Sequence, residues 1–261
     1  MHLPLFILDS KRLAARVAML AIGMSAAAAM PVHADAIGVR AGFYGWNPDF
    51  DGHVKSGGDR VDLHNDLGID DDNATVFYVA IEHPLPLLPN VLLQHTQLDT
   101  DATHQLSRTF TFDDTTYTAA DTVKTNLDLS HTDATLYYEL LDNWVELDLG
   151  LTIRHFDKGV KITALNAAKS STLDIDSTIP MLYASARFNL PLTGLYVGVD
   201  GNGIGYSGNT LFDYRAMVGY ETKIGLGAEL GVRNFDLKYK DGDDKANVKV
   251  DGMYAELFYH F

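Results

Sequence analysis

Residues 144 to 156 read WVELDLGLTIRHF, and their spacing decides the fold class. Val145, Leu147, Leu149, Leu151 and Ile153 fall on one side, while Glu146, Asp148, Gly150, Thr152 and Arg154 fall on the other. A helix repeats its apolar positions three and four residues apart, so a period of two predicts a strand. Similar runs cover 37–46, 74–83, 90–98, 133–140, 178–190, 195–206, 211–221, 224–235 and 248–261. Run 90–98 alternates poorly, which leaves its facing open. The pattern predicts an all-β, closed antiparallel barrel of ten strands, with eight as the alternative, in a single domain. Segments such as "LDN", "PLTG" and "TK" read as short turns, whereas 47–72, 99–122 and 157–174 read as long polar loops. Short turns at one end and long loops at the other, with an even strand count, are the asymmetry of a transmembrane β-barrel.

The amino-terminal residues belong to a different signal. Lys11, Arg12 and Arg16 precede an apolar run from Val17 to Met30, and Val32-His33-Ala34 offers small residues at a cleavage site. Residues 1–34 are therefore expected to be a signal peptide cut after Ala34, leaving 35–261 as the barrel domain. The apolar run falls short of the roughly 20 residues that a spanning helix needs. The chain has no cysteine, which excludes disulfides, a lipid-anchored cysteine and thiolate metal sites. A formal net charge of −15 repels phosphate backbones and argues against nucleic acid as a partner.

Alternation alone does not say which face is inside. The strands carry Arg40, Arg154, Arg187, Arg215 and Arg233 on their polar side, with Glu82, Glu139, Glu146, Asp148, Asp200, Asp213, Glu229 and Glu256. The lysines fall in loops, turns and strand tips. A hydrated surface uses lysine freely, whereas a packed interior favours the planar guanidinium, which can satisfy several carboxylates at once. The polar face is thus expected to line a lumen plugged by an ion network, since unpaired buried charge is costly. Tyr138, Phe188, Tyr220, Tyr259 and Phe261 near the turns, and Phe43, Phe212 and Tyr214 toward the loops, would form girdles at the two membrane interfaces.

The chain ends YAELFYHF, with Met253, Ala255, Leu257, Tyr259 and Phe261 alternating up to the final residue. This resembles the carboxy-terminal signature of outer-membrane barrels of Gram-negative bacteria. The resemblance implies that Tyr259 and Phe261 engage the barrel assembly machinery. The first loop, SGGDRVDLHNDLGIDDD, is similar to a group of proteobacterial outer-membrane barrels named for a Gly-Gly motif, from which no activity carries over. The expected location is the outer membrane, with its lipid and lipopolysaccharide as partners and a monomer as the assembly state.

Candidate chemistry is sparse. His-x-Ser, the pair that outer-membrane lipid hydrolases resemble one another in, is absent from the sequence. His131 with Asp133, and Asp99 with Asp101, share strand faces in pairs and are the candidate catalytic dyads. Asp70, Asp71 and Asp72 are the candidate ligands for a divalent cation, although their spacing fits no EF-hand and an acidic solvated loop accounts for them better, and no cofactor motif is present. DLHNDLG reads as one helical turn, with Asp62 as N-cap, Gly68 as terminator, and Leu63 and Leu67 facing the barrel mouth as a lid. The expected function is a non-enzymatic outer-membrane barrel with an envelope-structural, surface-interaction or narrow solute-passage role. The alternatives are a hydrolase of lipid A or peptides at the outer rim, and a lateral channel for small hydrophobic molecules.

Overall fold

The computed structural model describes residues 37–85 and 87–261. Ala34 and the leader lie outside the described residues. The strands are β1 (Gly38–Lys55), β2 (Arg60–Asp62), β3 (Ala74–Glu82), β4 (Asn90–Gln97), β5 (Asp99–Gln105), β6 (Phe110–Phe112), β7 (Thr115–Tyr117) and β8 (Thr122–Asp128). They continue as β9 (His131–Asp142), β10 (Val145–Ala164), β11 (Lys169–Asn189), β12 (Leu195–Tyr206), β13 (Asn209–Glu221), β14 (Leu226–Asp241) and β15 (Asp244–His260). Among the described residues, β4 with β5 and β8 with β9 each form one long stave, and the result is a closed antiparallel barrel of ten strands. Closure is made by β1 and β15, paired from Arg40 opposite His260 to Lys55 opposite Lys245. The Phe261 amide donates to Val39 O at 2.9 Å and completes the seam.

Along the long staves the facing of apolar residues inverts once. On β14 the outward residues are Leu226, Ala228, Leu230 and Val232, and then Asn234, Asp236, Lys238 and Lys240. The inward residues run Glu229 and Arg233, and then Phe235, Leu237 and Tyr239. Leu230 is 64% exposed and Phe235 is 0% exposed, so apolar side chains point out in the lower half and in above it. The same switch follows Phe43 on β1 and Ile153 on β10, and precedes Met253 on β15, which runs the other way. The lower outward belt spans about nine residues on β10; at ~3.3 Å per residue and a tilt of ~40° it is ~23 Å tall, close to a bilayer's hydrocarbon thickness. Val91, Leu93 and His95 of β4 face outward, while Asn90, Leu92, Gln94 and Thr96 face inward.

Above the belt the interior is an apolar core. Trp46, Phe50 and Val54 of β1 meet Val248 and Val250 of β15, Phe235 and Leu237 of β14, Val160 and Ile162 of β10, and Leu173 and Ile179 of β11. Two lids cover it. The first is the single turn after β2: Asn65 N donates to Asp62 Oδ1 at 2.9 Å, and Ile69 N reaches Leu63 O at 2.9 Å around Gly68. Gly68 holds φ 70°, and a Cβ there would stand 2.8 Å from His104 Cβ, so this stop requires glycine. Leu63, Leu67 and Ile69 are fully buried beneath it. The second lid is the β6–β7 hairpin, which buries Phe110, Phe112 and Tyr117. Each such large apolar side chain contributes ~1.5–3 kcal/mol relative to exposure.

The expected long loops are corrected by this architecture. Residues 157–164 and 169–174 belong to β10 and β11, which turn at 165–168, and β1 runs through residue 55. These segments show polar residues outward because water surrounds the barrel there, so their outer faces resemble loop sequence. The belt makes the cost of a charge depend on height. Leu230→Arg, in the belt, is expected to lower unfolding free energy in lipid vesicles by ~2–4 kcal/mol, and Asn234→Arg by ~1 kcal/mol or less, measured by denaturant titration.

Candidate functional site: a charged plug across the barrel

In the lower half the inward side chains form three stacked levels. At the top, Asp213 lies between two fully buried arginines. Arg233 donates to it through Nε at 2.9 Å and Nη2 at 2.7 Å, and Arg154 through Nη2 at 2.7 Å. Arg154 also grips Asp133 at 2.8 and 2.6 Å. Arg233 Nη1 donates to Tyr44 Oη at 3.0 Å, and its guanidinium lies 4.7 Å from the Trp46 ring centroid. His131 Nδ1 lies 2.8 Å from Leu129 O, which requires the proton on Nδ1; Nε2 then accepts from Arg233 Nη2 at 3.4 Å.

The middle level is centred on Arg215, which donates to Asp200 at 3.0 and 2.7 Å and to Glu256 at 3.1 Å. Tyrosines supply the remaining donors. Tyr78 donates to Glu256 at 2.5 Å, and Tyr196 and Tyr254 donate to Glu229 at 2.8 and 2.5 Å. Arg40 lies 3.9 Å from Glu256 and 3.8 Å over the Phe258 ring. At the bottom, Arg187 donates to Glu221 at 3.3 Å and stands 3.7 Å from Glu146. Tyr137 donates to Glu82 at 2.9 Å and Asn90 Nδ2 to Glu139 at 3.0 Å. Asp148 sits opposite Glu139 in the β9–β10 ladder. Between the top and middle levels, Tyr44, Gln94, Asp213 and Arg215 help line a cavity of about 30 Å³, room for one or two water molecules.

Glu221 and the five tyrosines were missed in the sequence, although each has the parity of its inward neighbours. Acids outnumber arginines on this face, and tyrosine is the donor that fills the deficit without adding charge.

The two candidate dyads do not converge. His131 and Asp133 are buried in the interior, with the Nε2 lone pair of one taken by Arg233 and both carboxylate oxygens of the other by Arg154. Asp99 and Asp101 are exposed on the opposite face, and Asp101 lies 3.1 Å from Lys124 Nζ. In the first loop, Asp70 and Asp72 each accept the next residue's amide, at 3.1 and 2.7 Å. Among the described residues no three acids or histidines gather as a metal site. Tyr259 and Phe261 face outward at the lower rim, stacked edge to face with centroids 4.5 Å apart.

A latch joins the two lids. Arg108 donates to Asp66 Oδ1 at 2.7 Å and to Arg60 O at 2.6 Å. Burial acts to raise the Asp66 pKa, but hydrogen bonds from Arg108 and the Asp62 amide outweigh it and hold the carboxyl below its usual range.

No family model matches the chain, and no curated protein matches it. Solved structures with a similar course include the outer-membrane protease OmpT of Escherichia coli, at 10% identity over 89% of this chain and 99% of that one, with a TM-score of 0.48. The translocator domain of the autotransporter NalP of Neisseria meningitidis gives 10% identity over 96% and 95%, with a TM-score of 0.40. The CymD monoaromatic hydrocarbon channel gives 11% over 97% and 63%, with a TM-score of 0.36.

Two outcomes follow from the plug and its latch. Asp213→Asn leaves two buried guanidiniums short of a counter-charge and is expected to lower stability by ~3–5 kcal/mol in denaturant titration. Because the folded-state pKa of Asp66 is depressed, the latch contributes fully above the ordinary carboxylate value and is lost as pH falls through the lower folded one. Pepsin should therefore cut the 62–69 turn increasingly as pH drops from about 4 to 2, while Arg108→Ala should expose Arg60 to trypsin at neutral pH.

Proposed function

We propose that the chain is an integral barrel of the bacterial outer membrane, delivered by a leader cut after Ala34, that is closed to solutes and works through its outer surface. The carrying observation is that charge pairs cross the lower interior at three levels and an apolar core occupies the upper one, with a cavity of about 30 Å³ between the upper two charged levels. Charge pairs at three levels oppose the passage of a hydrated solute, and the engagement of His131 and Asp133 by arginine speaks against hydrolysis. The apolar belt and the alternating outward residues Met253, Leu257, Tyr259 and Phe261 support membrane insertion by the assembly machinery, as a monomer among lipid and lipopolysaccharide. The sequence of the first loop supports placing the chain with the Gly-Gly group.

Planar-bilayer recording tests the closed state. The folded protein, recognised by a compact band that shifts on heating, is expected to give no conductance steps. A variant lacking residues 107–120, which carry the second lid, should stay equally silent because the charged levels below remain in place. Steady single-protein conductance from the intact chain overturns the reading.

A further inference from the structure

Four cations stand directly opposite one another across the top of the barrel wall. Arg60 of β2 pairs with Lys55 of β1, Lys55 with Lys245 of β15, and Lys245 with Lys240 of β14. All four lie on the outward face, since their neighbours Val54, Val61 and Tyr239 are buried inward. Among the described residues none of the four takes part in an ion pair, whereas Lys124, Lys158, Lys169 and Arg108 at the same end of the barrel each do. One register step below stand His53, Asn247 and Lys238, and below them Asp51, Lys249 and Asp236; Asp62 is opposite His53. Like charges directly opposite in a sheet are destabilising. The chain has 35 acidic residues and a net charge of −15, so an unbroken cationic row is not a consequence of composition.

From this row we infer a binding site for an anionic saccharide chain, phosphorylated or carboxylated, that stands above the membrane surface. The inference rests on the outer-surface reading above. At ~4.8 Å between strands the row spans ~14 Å, so it fits a ligand carrying several charges along its length. Lys240 is eight residues beyond Val232, the last apolar outward residue of β14. That distance corresponds to ~20 Å above the belt at a strand tilt of ~40°, beyond the reach of a lysine stem to phosphates at the bilayer surface. The ligand is therefore an anionic saccharide standing clear of the bilayer surface, either the chain of a resident lipopolysaccharide or a free saccharide polyanion.

The test uses the full mature chain in detergent, with dextran phosphate as probe and neutral dextran as control. Wild type is expected to bind dextran phosphate at least about tenfold more tightly than dextran, in a manner weakened by salt. Lys55→Gln with Lys240→Gln and Lys245→Gln should remove that difference, while Lys124→Gln with Lys161→Gln, on the far side of the barrel, should keep it. If the triple variant lacks the compact heat-shifting form, Lys245→Gln alone, at the middle of the row, must weaken binding. Equal binding by wild type and the row variants, or no preference of wild type for the charged dextran, overturns the inference. In vesicles, blocking of dextran phosphate by lipopolysaccharide in the same leaflet assigns the resident chain, and undiminished binding assigns a free polyanion. Conductance steps in a protein that still binds would overturn the closed-barrel reading and leave this site standing.

Discussion

Each barrel strand can send its side chains in only two directions, and the medium met by the outward set changes once along its length. Because the backbone hydrogen bonds close around the wall, no edge is left to be solvated, and the arrangement of polarity falls to the side chains. Below the switch, lipid outside forces charge and hydroxyls inward. Above it, water outside allows the same parity to bury Trp46, Phe50, Phe235 and Val250. The molecule thus joins two folding logics on continuous strands: a membrane belt around a polar filling, and a water-bathed cap around an apolar core.

The polar filling follows from the cost of placing ions in a poorly hydrated space. Arginine is suited to it because one guanidinium can bridge carboxylates on separate strands, as Arg154 does between Asp133 and Asp213 and Arg215 between Asp200 and Glu256. These bridges tie β9 to β10 and β13, and β12 to β13 and β15, across the lumen as well as around the wall. Tyr78, Tyr196 and Tyr254 satisfy the acids that arginine does not fully cover. A filling of this kind holds the staves together and crosses the bore with the same contacts.

The lower half was largely legible in the sequence because lipid outside makes alternation unambiguous: WVELDLGLTIRHF placed Arg154 and Asp148 inside, and the arginine and lysine distributions gave the direction. The upper half was not. In 47–55 and 157–164 the outward residues are polar, and the eye takes polar positions for loop even where Phe50, Val160 and Ile162 keep the period. Strand register was also hidden, since sequence shows parity within a strand but not which residues lie opposite. Facing, left open for run 90–98, keeps Asp99 and Asp101 away from His131 and Asp133, and register aligns Arg60, Lys55, Lys245 and Lys240.

The inversion of facing is the central claim, and a chain without cysteine permits a direct measurement of it. Single cysteines at Leu230, Val232, Asp236, Leu237 and Lys238, in protein reconstituted into lipid vesicles, can be exposed to a membrane-impermeant thiol reagent and to a lipid-soluble one. The account predicts that positions 230 and 232 react only with the lipid-soluble reagent, that 236 and 238 react with the aqueous one, and that 237 resists both. Aqueous labelling of 230 and 232 together with 236 and 238, as on a soluble barrel, or ready labelling of 237 would contradict it.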